Sequence, residues 1–562
     1  NALTLPGMMN AANVEGSTTY SYENLTGSAQ MAITWCDNNS SNRPAMADYA
    51  KKVIPQFSLD GGASWISLVD ENGNLTDEAR LKLYIGDGEA PNWVKQASAA
   101  AQSIGTWNVS VQGMPTQFNT TVTVPDVDEE GNQKYDEHGN PLFVKDEKAS
   151  SSVDILWRLN DTNERPQNYT YGENDEGATG GQRYLMLTQD YTFTIQGKLG
   201  DKTLKEIFGS TLNAADYAEY FRFSALIDNK QVVDGTGNVR SDTLEEMIEA
   251  QLGEGQAFDI TFSEDGNTAT IKATLPQYDL NGAPIVYYAY FEDPTDTTSG
   301  KDYYQPAYNN SASPSHGSSV DKLYDGGTMT IRPVGTTSYD ATKVWLDGGN
   351  IDERPAASFT LWRYSKNGSP ATASQVQMNA IDGSGTAAES VEYVTIEIPA
   401  GSQDDTIDLG KLLAEQYGEQ GANILSNLPK YDPDGYPYIY ALREDTGLSS
   451  NYEVVFGSVD SQGNETDTQP NYTDGDGNKQ ELDQPDRAND PFIYNDGTIT
   501  NRLTGTVTVE ATKTWEIAAF QDSLDTVTVT FTAQSRLASS TSDADWQDTD
   551  TTIEVDGWKA ET

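Results

Sequence analysis

Several short stretches of this chain alternate strictly between apolar and polar residues, which is the period of a β-strand with one buried face. Residues 526–533, TVTVTFTA, alternate without a break. Residues 339–345 and 497–503 have the same period, but each places one polar side chain, Lys343 or Asn501, in the apolar register. The pattern predicts half-buried β-strands, two of which carry a polar group toward the core.

A third run, residues 438–444, places Glu444 on the face of its tyrosines and leucine. A lone amine, amide or carboxyl is costly to bury unless it finds a partner. We therefore expect Lys343, Glu444 and Asn501 to meet inside one domain.

Composition limits the classes of function. The chain has 562 residues with 48 glycines and 36% hydrophobic residues, which is enough for several domains with their own cores. Its 35 basic and 86 acidic residues give a net charge of −51, which argues against binding to nucleic acid or to anionic membranes. Cys36 is the single cysteine, so no intrachain disulfide forms. No apolar run is long enough to cross a membrane.

A tryptophan followed by Arg-Pro recurs along the chain. Trp35 precedes Arg43-Pro44, Trp157 precedes Arg165-Pro166, and Trp345 precedes Arg354-Pro355, while Trp515 opens a fourth unit without Arg-Pro. The tryptophans lie more than a hundred residues apart, which is a spacing of domains.

This repeat predicts tandem domains, and both ends of the chain are expected to be cut inside a longer array, since there is no initial Met and no signal peptide. The predicted segments are residues 1–27 (the tail of a preceding domain), 28–150 (a divergent sandwich), 151–336 (a sandwich with a helical insertion), 337–504 (a sandwich with the polar trio) and 505–562 (the start of a further domain).

The fold class is predicted to be all-β, with tandem immunoglobulin-like β-sandwiches and short helical insertions. Helices are expected over residues 91–102, 244–252 and 409–417, from an initial proline, a capping box and apolar spacing, respectively.

Residues 337–504 resemble a Cna protein B-type domain, the β-sandwich repeat of Gram-positive bacterial adhesins and pilins. The resemblance rests on Lys-Val-Trp-x-Asp at 343–347, Arg354-Pro355, LPKYDPDG at 428–435 and the closing Ile-Thr-Asn at 499–501. It extends more weakly to residues 151–336 and to the start of the fourth unit. Residues 28–150 keep only the tryptophan and Arg-Pro.

In some members of that family an isopeptide bond joins the first strand to the last. The resemblance implies that Lys343 is the nucleophile, Asn501 the electrophile and Glu444 the proton shuttle. Burial favours the neutral amine and the neutral carboxyl, which suits this chemistry. The alternative is a hydrogen-bonded trio without a covalent bond.

The other units lack this trio. Ile33 in the first domain and Ile155 and Ile331 in the second are expected to stand where Lys343 or Asn501 would, and Glu292 matches Glu444 without its reaction partners. Lys513 is a further candidate lysine, whose asparagine is expected beyond residue 562.

One acidic loop has the spacing of a calcium site, although no helices flank it and acidic hairpin tips are frequent in so acidic a chain. Its candidate ligands are Asp126, Asp128, Glu130 and Glu137. The two histidines lie in polar loops, which argues against a hydrolase triad. No cofactor is predicted.

The leading hypothesis is a stalk or adhesin segment of a protein on the cell wall of a Gram-positive bacterium, with self-modification in place of enzyme turnover. A host or microbial surface ligand, protein or glycan, would bind elsewhere in the full-length protein, and chains could associate laterally. The alternatives are a pilin-like subunit of a covalent fibre, and glycan-binding modules of a secreted enzyme, which would need an exposed aromatic platform.

Overall fold

The computed structural model describes residues 3–4, 16–172, 174–209, 212, 220–228, 230–231, 259–310, 321–378, 393–417, 424–445, 451–514, 528–536 and 540–556. Strands dominate these residues and helices are short, as the all-β prediction requires. The chain divides into two compact units, one formed by residues 1–196, 208–292 and 307–329, and the other by residues 197–207, 293–306 and 330–562.

Up to residue 172, the described residues contribute twelve strands and two helices to the first unit. They are β1 (Leu3–Thr4), β2 (Ser17–Glu23), β3 (Gly27–Cys36), α1 (Met46–Lys51), β4 (Val53–Ser58), β5 (Ile66–Ser67), α2 (Asp77–Lys82), β6 (Ser98–Ala101), β7 (Thr106–Met114), β8 (Gln117–Pro125), β9 (Phe143–Lys145), β10 (Ser151–Asp154), β11 (Leu156–Asp161) and β12 (Tyr169–Tyr171).

A first sandwich forms between a sheet containing β3, β7, β6 and β12 and a sheet ordered β11-β4-β5. Its core contains Met31, Ile33 and Trp35 from β3 and Leu159 from β11. A further sheet, β1-β2-β8 with β9 and β10, packs residues such as Tyr20 and Phe118 against Phe57 and Ile155.

The boundary predicted between residues 150 and 151 does not separate these sheets. Strand β11 pairs antiparallel with β4 from Leu156↔Ser58 to Asp161↔Val53. The next long strand, β13 (Gln182–Gly197), lies parallel to β3 from Gln182↔Ala32 to Met186↔Cys36. The closing strand of the first sandwich is therefore the first part of β13.

The second part of β13 belongs to another group of strands. These are β14 (Phe221–Ile227), β15 (Lys230–Gln231), β16 (Asp259–Phe262), β17 (Thr268–Pro276), β18 (Ile285–Phe291), β19 (Tyr303–Asn309), β20 (Leu323–Tyr324) and β21 (Thr328–Val334), with helix α3 (Leu204–Phe208). Strand β17 pairs with β13 from Thr188↔Pro276 to Gln196↔Thr268. Strand β14 lies in a separate sheet ordered β15-β14-β18-β20. The ring of Phe193 on β13 packs edge to face against the ring of Phe223 on β14, with the ring centres 5.7 Å apart.

The remaining strands lie in the rest of the chain. They are β22 (Thr336–Thr337), β23 (Ala341–Leu346), β24 (Ala357–Ser365), β25 (Ser374–Gln375), β26 (Thr395–Ile398), β27 (Thr406–Asp408), β28 (Leu428–Pro429), β29 (Tyr438–Glu444), β30 (Tyr452–Phe456), β31 (Ser458–Val459), β32 (Glu465–Thr466), β33 (Asn471–Thr473), β34 (Lys479–Glu481), β35 (Phe492–Tyr494), β36 (Gly497–Leu503), β37 (Thr528–Ser535) and β38 (Gln547–Asp556). Helix α4 (Leu409–Tyr417) lies between β27 and β28.

A sandwich within the second unit, here called the third sandwich, contains the polar trio. One of its sheets is ordered β27-β23-β36-β30, and the other is ordered β25-β24-β29-β35 with β26 beside β24. Buried residues from both sheets, including Ala341, Phe359, Leu442 and Ile499, form its core. The opening strand β23 and the closing strand β36 are parallel neighbours.

The helix predictions had different outcomes. Residues 409–417 are helical, as predicted. The helix predicted over residues 91–102 is wrong, because small residues there form strand β6 beside β7. The helix predicted over residues 244–252 lies outside the described residues, as does Trp515. No helix in the described ranges is long and apolar enough to cross a membrane.

Candidate cross-linking site of the third sandwich

Three strands hold the polar trio. Lys343 lies on β23 and Asn501 on the parallel strand β36, where Trp345 is paired with Asn501 and Lys343 with Ile499. Glu444 ends β29 in the facing sheet, opposite Phe359. Lysine and asparagine therefore occupy one sheet two residues apart in register, and the carboxyl approaches from the other sheet.

Lys343 is completely buried. Its Nζ lies 4.3 Å from the centre of the Trp345 ring and donates to the Val344 carbonyl at 3.5 Å, the long limit of a hydrogen bond. Burial lowers the pKa of Lys343 to about 7, although the charge of Glu444 opposes the shift. Burial thus favours the unprotonated, nucleophilic form of this amine.

Glu444 and Asn501 are in direct contact. Asn501 is also completely buried, and its Nδ2 donates to Glu444 Oε1 at 3.2 Å. Burial raises the pKa of Glu444, while the Lys343 charge and the hydrogen bond from Asn501 act in the opposite direction. Since the shift is upward on balance, a proton resides on this carboxyl more readily than on an exposed glutamate.

Two acceptor atoms at this contact have no hydrogen-bond partner within the part of the chain that the structure describes. They are Glu444 Oε2 and Asn501 Oδ1, and both are buried. Buried polar atoms are seldom left unsatisfied. A proton on Glu444 would supply the donor that this pair lacks, and a hydrogen bond from a carboxylic acid to the amide oxygen would make the Asn501 carbon more electrophilic.

An ion pair lies beside the trio, and the sequence reasoning missed it. Arg354, from the Arg-Pro motif, binds Asp347 with Nε–Oδ2 and Nη2–Oδ1 distances of 2.7 and 2.9 Å. Tyr452 on β30 donates to the same carboxylate at 3.1 Å. The Arg354 guanidinium also lies 5.9 Å from the Trp345 ring. The motif therefore fastens the end of β23 next to the lysine.

The first sandwich repeats this arrangement. Arg43 binds Asp37 through Nε at 2.8 Å, Tyr169 donates to Asp37 at 2.7 Å, and Arg43 lies 5.8 Å from the Trp35 ring. The signal in the sequence is an aspartate two residues after the tryptophan. Trp157 lacks this aspartate, and its Arg165 is exposed.

Comparisons with known proteins identify no family. No protein-family model matches the chain, and no curated protein sequence does. Among solved structures, the major pilin BcpA of Bacillus cereus is similar at 12% identity, with 85% of this chain and 100% of the pilin covered and a TM-score of 0.16. The major pilin SpaA of Corynebacterium diphtheriae matches at 10% identity, over 84% of this chain and 100% of that chain, with a TM-score of 0.14.

The pilus adhesin SpaC of Lactobacillus rhamnosus GG matches at 13% identity, over 88% of this chain and 57% of the adhesin, with a TM-score of 0.14. These are all proteins of Gram-positive pili. At such TM-scores the comparisons do not establish a shared architecture, so the geometry of the site carries the functional argument.

The isoleucines predicted to replace the reactive residues have three different environments. Ile33 is completely buried on β3, as predicted. Ile155 is not on the opening strand of the second sandwich, because its N–H donates to Thr116 and its side chain packs beside Phe57 in the first unit. Ile331 is completely buried on β21, whose backbone accepts from Lys198 N–H at the end of β13.

Two other predicted positions are accessible to solvent. Glu292 is exposed at the end of β18, so it does not occupy a buried site like that of Glu444. Lys513 is also exposed and lies outside the assigned strands.

The acidic loop does not gather its carboxylates into a metal site. Asp128 Oδ1 accepts from the N–H groups of Glu130 and Asn132 at 3.0 and 2.8 Å, and Asp126 pairs with Lys134 at 3.0 Å. The hydrogen bond from Asn132 lowers the pKa of Asp128. Within the described ranges, no three His, Cys, Asp or Glu side chains are placed to hold a metal ion.

The same hairpin tip recurs along the chain. An aspartate accepts from the N–H groups two and four residues later, and a glycine with positive φ lies between these donors. Tips of this form begin at Asp70, Asp128, Asp136, Asp279, Asp432, Asp460 and Asp474. The calcium-like spacing is thus the sequence pattern of a turn whose aspartate binds its own backbone.

Proposed function

We propose that this chain is a stalk segment of a Gram-positive bacterial cell-surface protein, and that its third sandwich joins Lys343 to Asn501 by an isopeptide bond. The observation that carries the proposal is the contact between Glu444 and Asn501, whose unpaired acceptor atoms require a proton, next to a buried amine with a lowered pKa. The resemblance to Cna protein B-type domains supports the same assignment.

In the proposed reaction the neutral Lys343 amine attacks Cγ of Asn501. Glu444 donates a hydrogen bond to the amide oxygen and then relays a proton from the attacking nitrogen to Nδ2, and the bond between Cγ and Nδ2 breaks. The products are one secondary amide and one molecule of ammonia. The reaction happens once in each chain, so the protein modifies itself and does not turn over substrate.

The position of the bond suits a protein under tension. Strands β23 and β36 open and close the sandwich and run parallel, so force applied at the two ends of the domain shears the ladder between them. A covalent link between these strands would carry the load past the intervening residues. Closing the loop between Lys343 and Asn501 would also stabilise the sandwich by about 5 kcal/mol in the loop-entropy model.

Mass spectrometry tests the proposal directly. The intact chain should weigh one ammonia less than its sequence requires, and proteolysis should release a branched peptide that contains Lys343 and Asn501. Glu444→Ala should remain folded, because Glu444 ends β29 and the apolar core of the sandwich is unchanged, but it should keep the full mass since the proton relay is gone.

Glu292→Ala provides the matched control, because this exposed glutamate ends an equivalent strand sequence without a lysine or asparagine partner. That variant should lose ammonia as the unaltered chain does. A full mass for the unaltered chain, or a cross-link in Glu444→Ala at the normal yield, would exclude the proposed roles.

A further inference from the structure

The first and third sandwiches can be aligned through their strand registers. Tyr169 on β12 pairs with Leu187 on β13, as Tyr452 on β30 pairs with Leu503 on β36. Each tyrosine donates to the aspartate of its tryptophan motif. Two residues before each paired leucine, Leu185 lies beside Trp35 and Asn501 lies beside Trp345. Leu185 is therefore the counterpart of Asn501.

The other two members of the trio follow from the same alignment. Ile33, two residues before Trp35, corresponds to Lys343. In the facing sheets, β11 pairs with β4 as β29 pairs with β24, and Leu159 and Leu442 are core residues two positions before the ends of these strands. Asp161 therefore corresponds to Glu444, so the first sandwich keeps the carboxyl and loses the amine and the amide.

The retained carboxyl is buried and has new partners. Asp161 Oδ2 accepts from Tyr49 of α1 at 2.7 Å, and Oδ1 accepts from Asn163 Nδ2 at 2.7 Å. Arg183 on the closing strand β13 places Nε 3.3 Å from Asp161 Oδ2. In the third sandwich this position on the closing strand is Ile499, which is apolar and completely buried.

Arg183 also reaches the loop that leads into its own strand. Its Nη1 donates to Asp175 Oδ1 at 3.0 Å, Asp175 Oδ2 accepts from the Tyr184 N–H at 2.9 Å, and the guanidinium lies 4.1 Å from the Tyr171 ring. The side chains of Arg183 and Asp161 are 5% and 0% exposed, so this charge pair is shielded from solvent and salt.

We infer that Arg183, Asp161 and Asp175 form a reversible clasp that closes the first sandwich at the place where the third sandwich has its lysine, glutamate and asparagine. The clasp joins the closing strand β13 to β11 in the facing sheet and to the loop before β13. Arginine keeps its charge and offers no neutral amine, and Ile33 and Leu185 cannot form an amide. The clasp therefore opens when the sandwich unfolds and forms again when it refolds.

Hydrogen exchange on the full chain, followed by mass spectrometry of peptides, tests the clasp. Arg183→Met should raise exchange in peptides that contain residues 32–36 and 182–186 by about 150- to 5,000-fold, the loss expected when one partner of a buried pair is removed. Peptides from β23 and β36 should not change. Arg165→Met removes an exposed arginine from the same region and should leave exchange unchanged.

The double variant distinguishes a clasp from ordinary packing. Asp161→Asn should partly reverse the effect of Arg183→Met, because it neutralises the carboxylate that would otherwise be buried without its cation. If Arg183→Met leaves the first sandwich unfolded, Arg183→Lys keeps the charge without the planar fork and should give intermediate exchange. Exchange that is unchanged in Arg183→Met, or effects that simply add in the double variant, would overturn the inference.

This outcome is independent of the cross-link in the third sandwich. Exchange in residues 32–36 and 182–186 reports the clasp, whereas intact mass reports the bond between Lys343 and Asn501. If the chain has its full mass while the Arg183 and Asp161 variants have non-additive effects on exchange, the proposed cross-link is refuted and the clasp is supported.

Discussion

Asp347 connects the stability of the third sandwich to acid pH. Hydrogen bonds from Arg354 lower the pKa of Asp347 in the folded state. The carboxylate therefore stabilises the sandwich fully above its unfolded pKa of about 4, and this stabilisation is lost as the pH falls through the lower folded pKa. In Asp347→Asn the unfolding of the third sandwich should lose this part of its pH dependence below about pH 4, as measured by hydrogen exchange in peptides from β23.

The guanidinium partner has a larger effect at neutral pH. Arg354→Met leaves Asp347 buried without its cation, and it should destabilise the third sandwich by about 3–5 kcal/mol in chemical denaturation. Arg165→Met, in the Arg-Pro pair that lacks an aspartate after its tryptophan, should cost less than about 0.5 kcal/mol. Similar losses in the two variants would show that the ion pair does not stabilise the fold.

At the residue scale, the sequence pattern identified polar side chains that stand in apolar registers of their strands. Lys343, Glu444 and Asn501 were predicted because a polar residue in an apolar register needs a partner, and all three lie in or beside the core of one sandwich. Arg183 and Asp161 escaped this reasoning. Strand β11 pairs with β4 and strand β13 with β3, each about a hundred residues or more earlier in the chain, and periodicity within a strand does not say which strands are neighbours.

At the element scale, hairpin tips with the same turn differ in what packs above them. Gly435 and Gly463 have φ values of 87° and 84°, and both follow an aspartate that binds the turn. A Cβ at Gly435 would lie 2.3 Å from the Lys198 carbonyl, whereas one at Gly463 would meet nothing within 4 Å.

Gly463→Ala should therefore cost only the strain of left-handed backbone, about 1–2 kcal/mol. Gly435→Ala should cost clearly more, because the Lys198 backbone must move as well. Urea denaturation of the two variants makes the comparison, and equal losses would mean that the contact with Lys198 adds no stability.

The individual strands and helix α4 could be predicted from the sequence more accurately than the assignment of strands to domains. Alternating runs correctly indicated strands, and the spacing of leucines correctly indicated α4. The boundary at residue 150 followed from Trp157 and Arg165, which imitate the domain motif. Those residues lie on or after β11, inside the first sandwich, and the aspartate missing after Trp157 is the local sign that distinguishes them.

For the whole molecule, the proposed covalent bond of the third sandwich and the ion-pair clasp of the first sandwich predict different responses to force. Single-molecule pulling should release no length from residues 343–501, because the proposed bond bypasses them. The first sandwich should open and refold over repeated cycles. Its residues 27–186 should release about 530–580 Å of chain at ~3.3–3.6 Å per residue.

Glu444→Ala is the control for the pulling experiment. Without the bond, the third sandwich should show its own length step, while the step of the first sandwich stays the same. A full step from the third sandwich in the unaltered chain, or failure of the first sandwich to refold between cycles, would contradict this division of roles.

Strand β13 sets the order in which the chain can fold during synthesis. Its first part closes the sandwich opened by β3, and its second part pairs with β17. A ribosome must therefore make residues 182–186 before β3 gains its parallel neighbour, and the edge of β3 stays open to wrong partners until then. When β13 does dock, it presents its remaining length as a template for the strands that follow. The strand that completes one sandwich is therefore also the first strand of the next group.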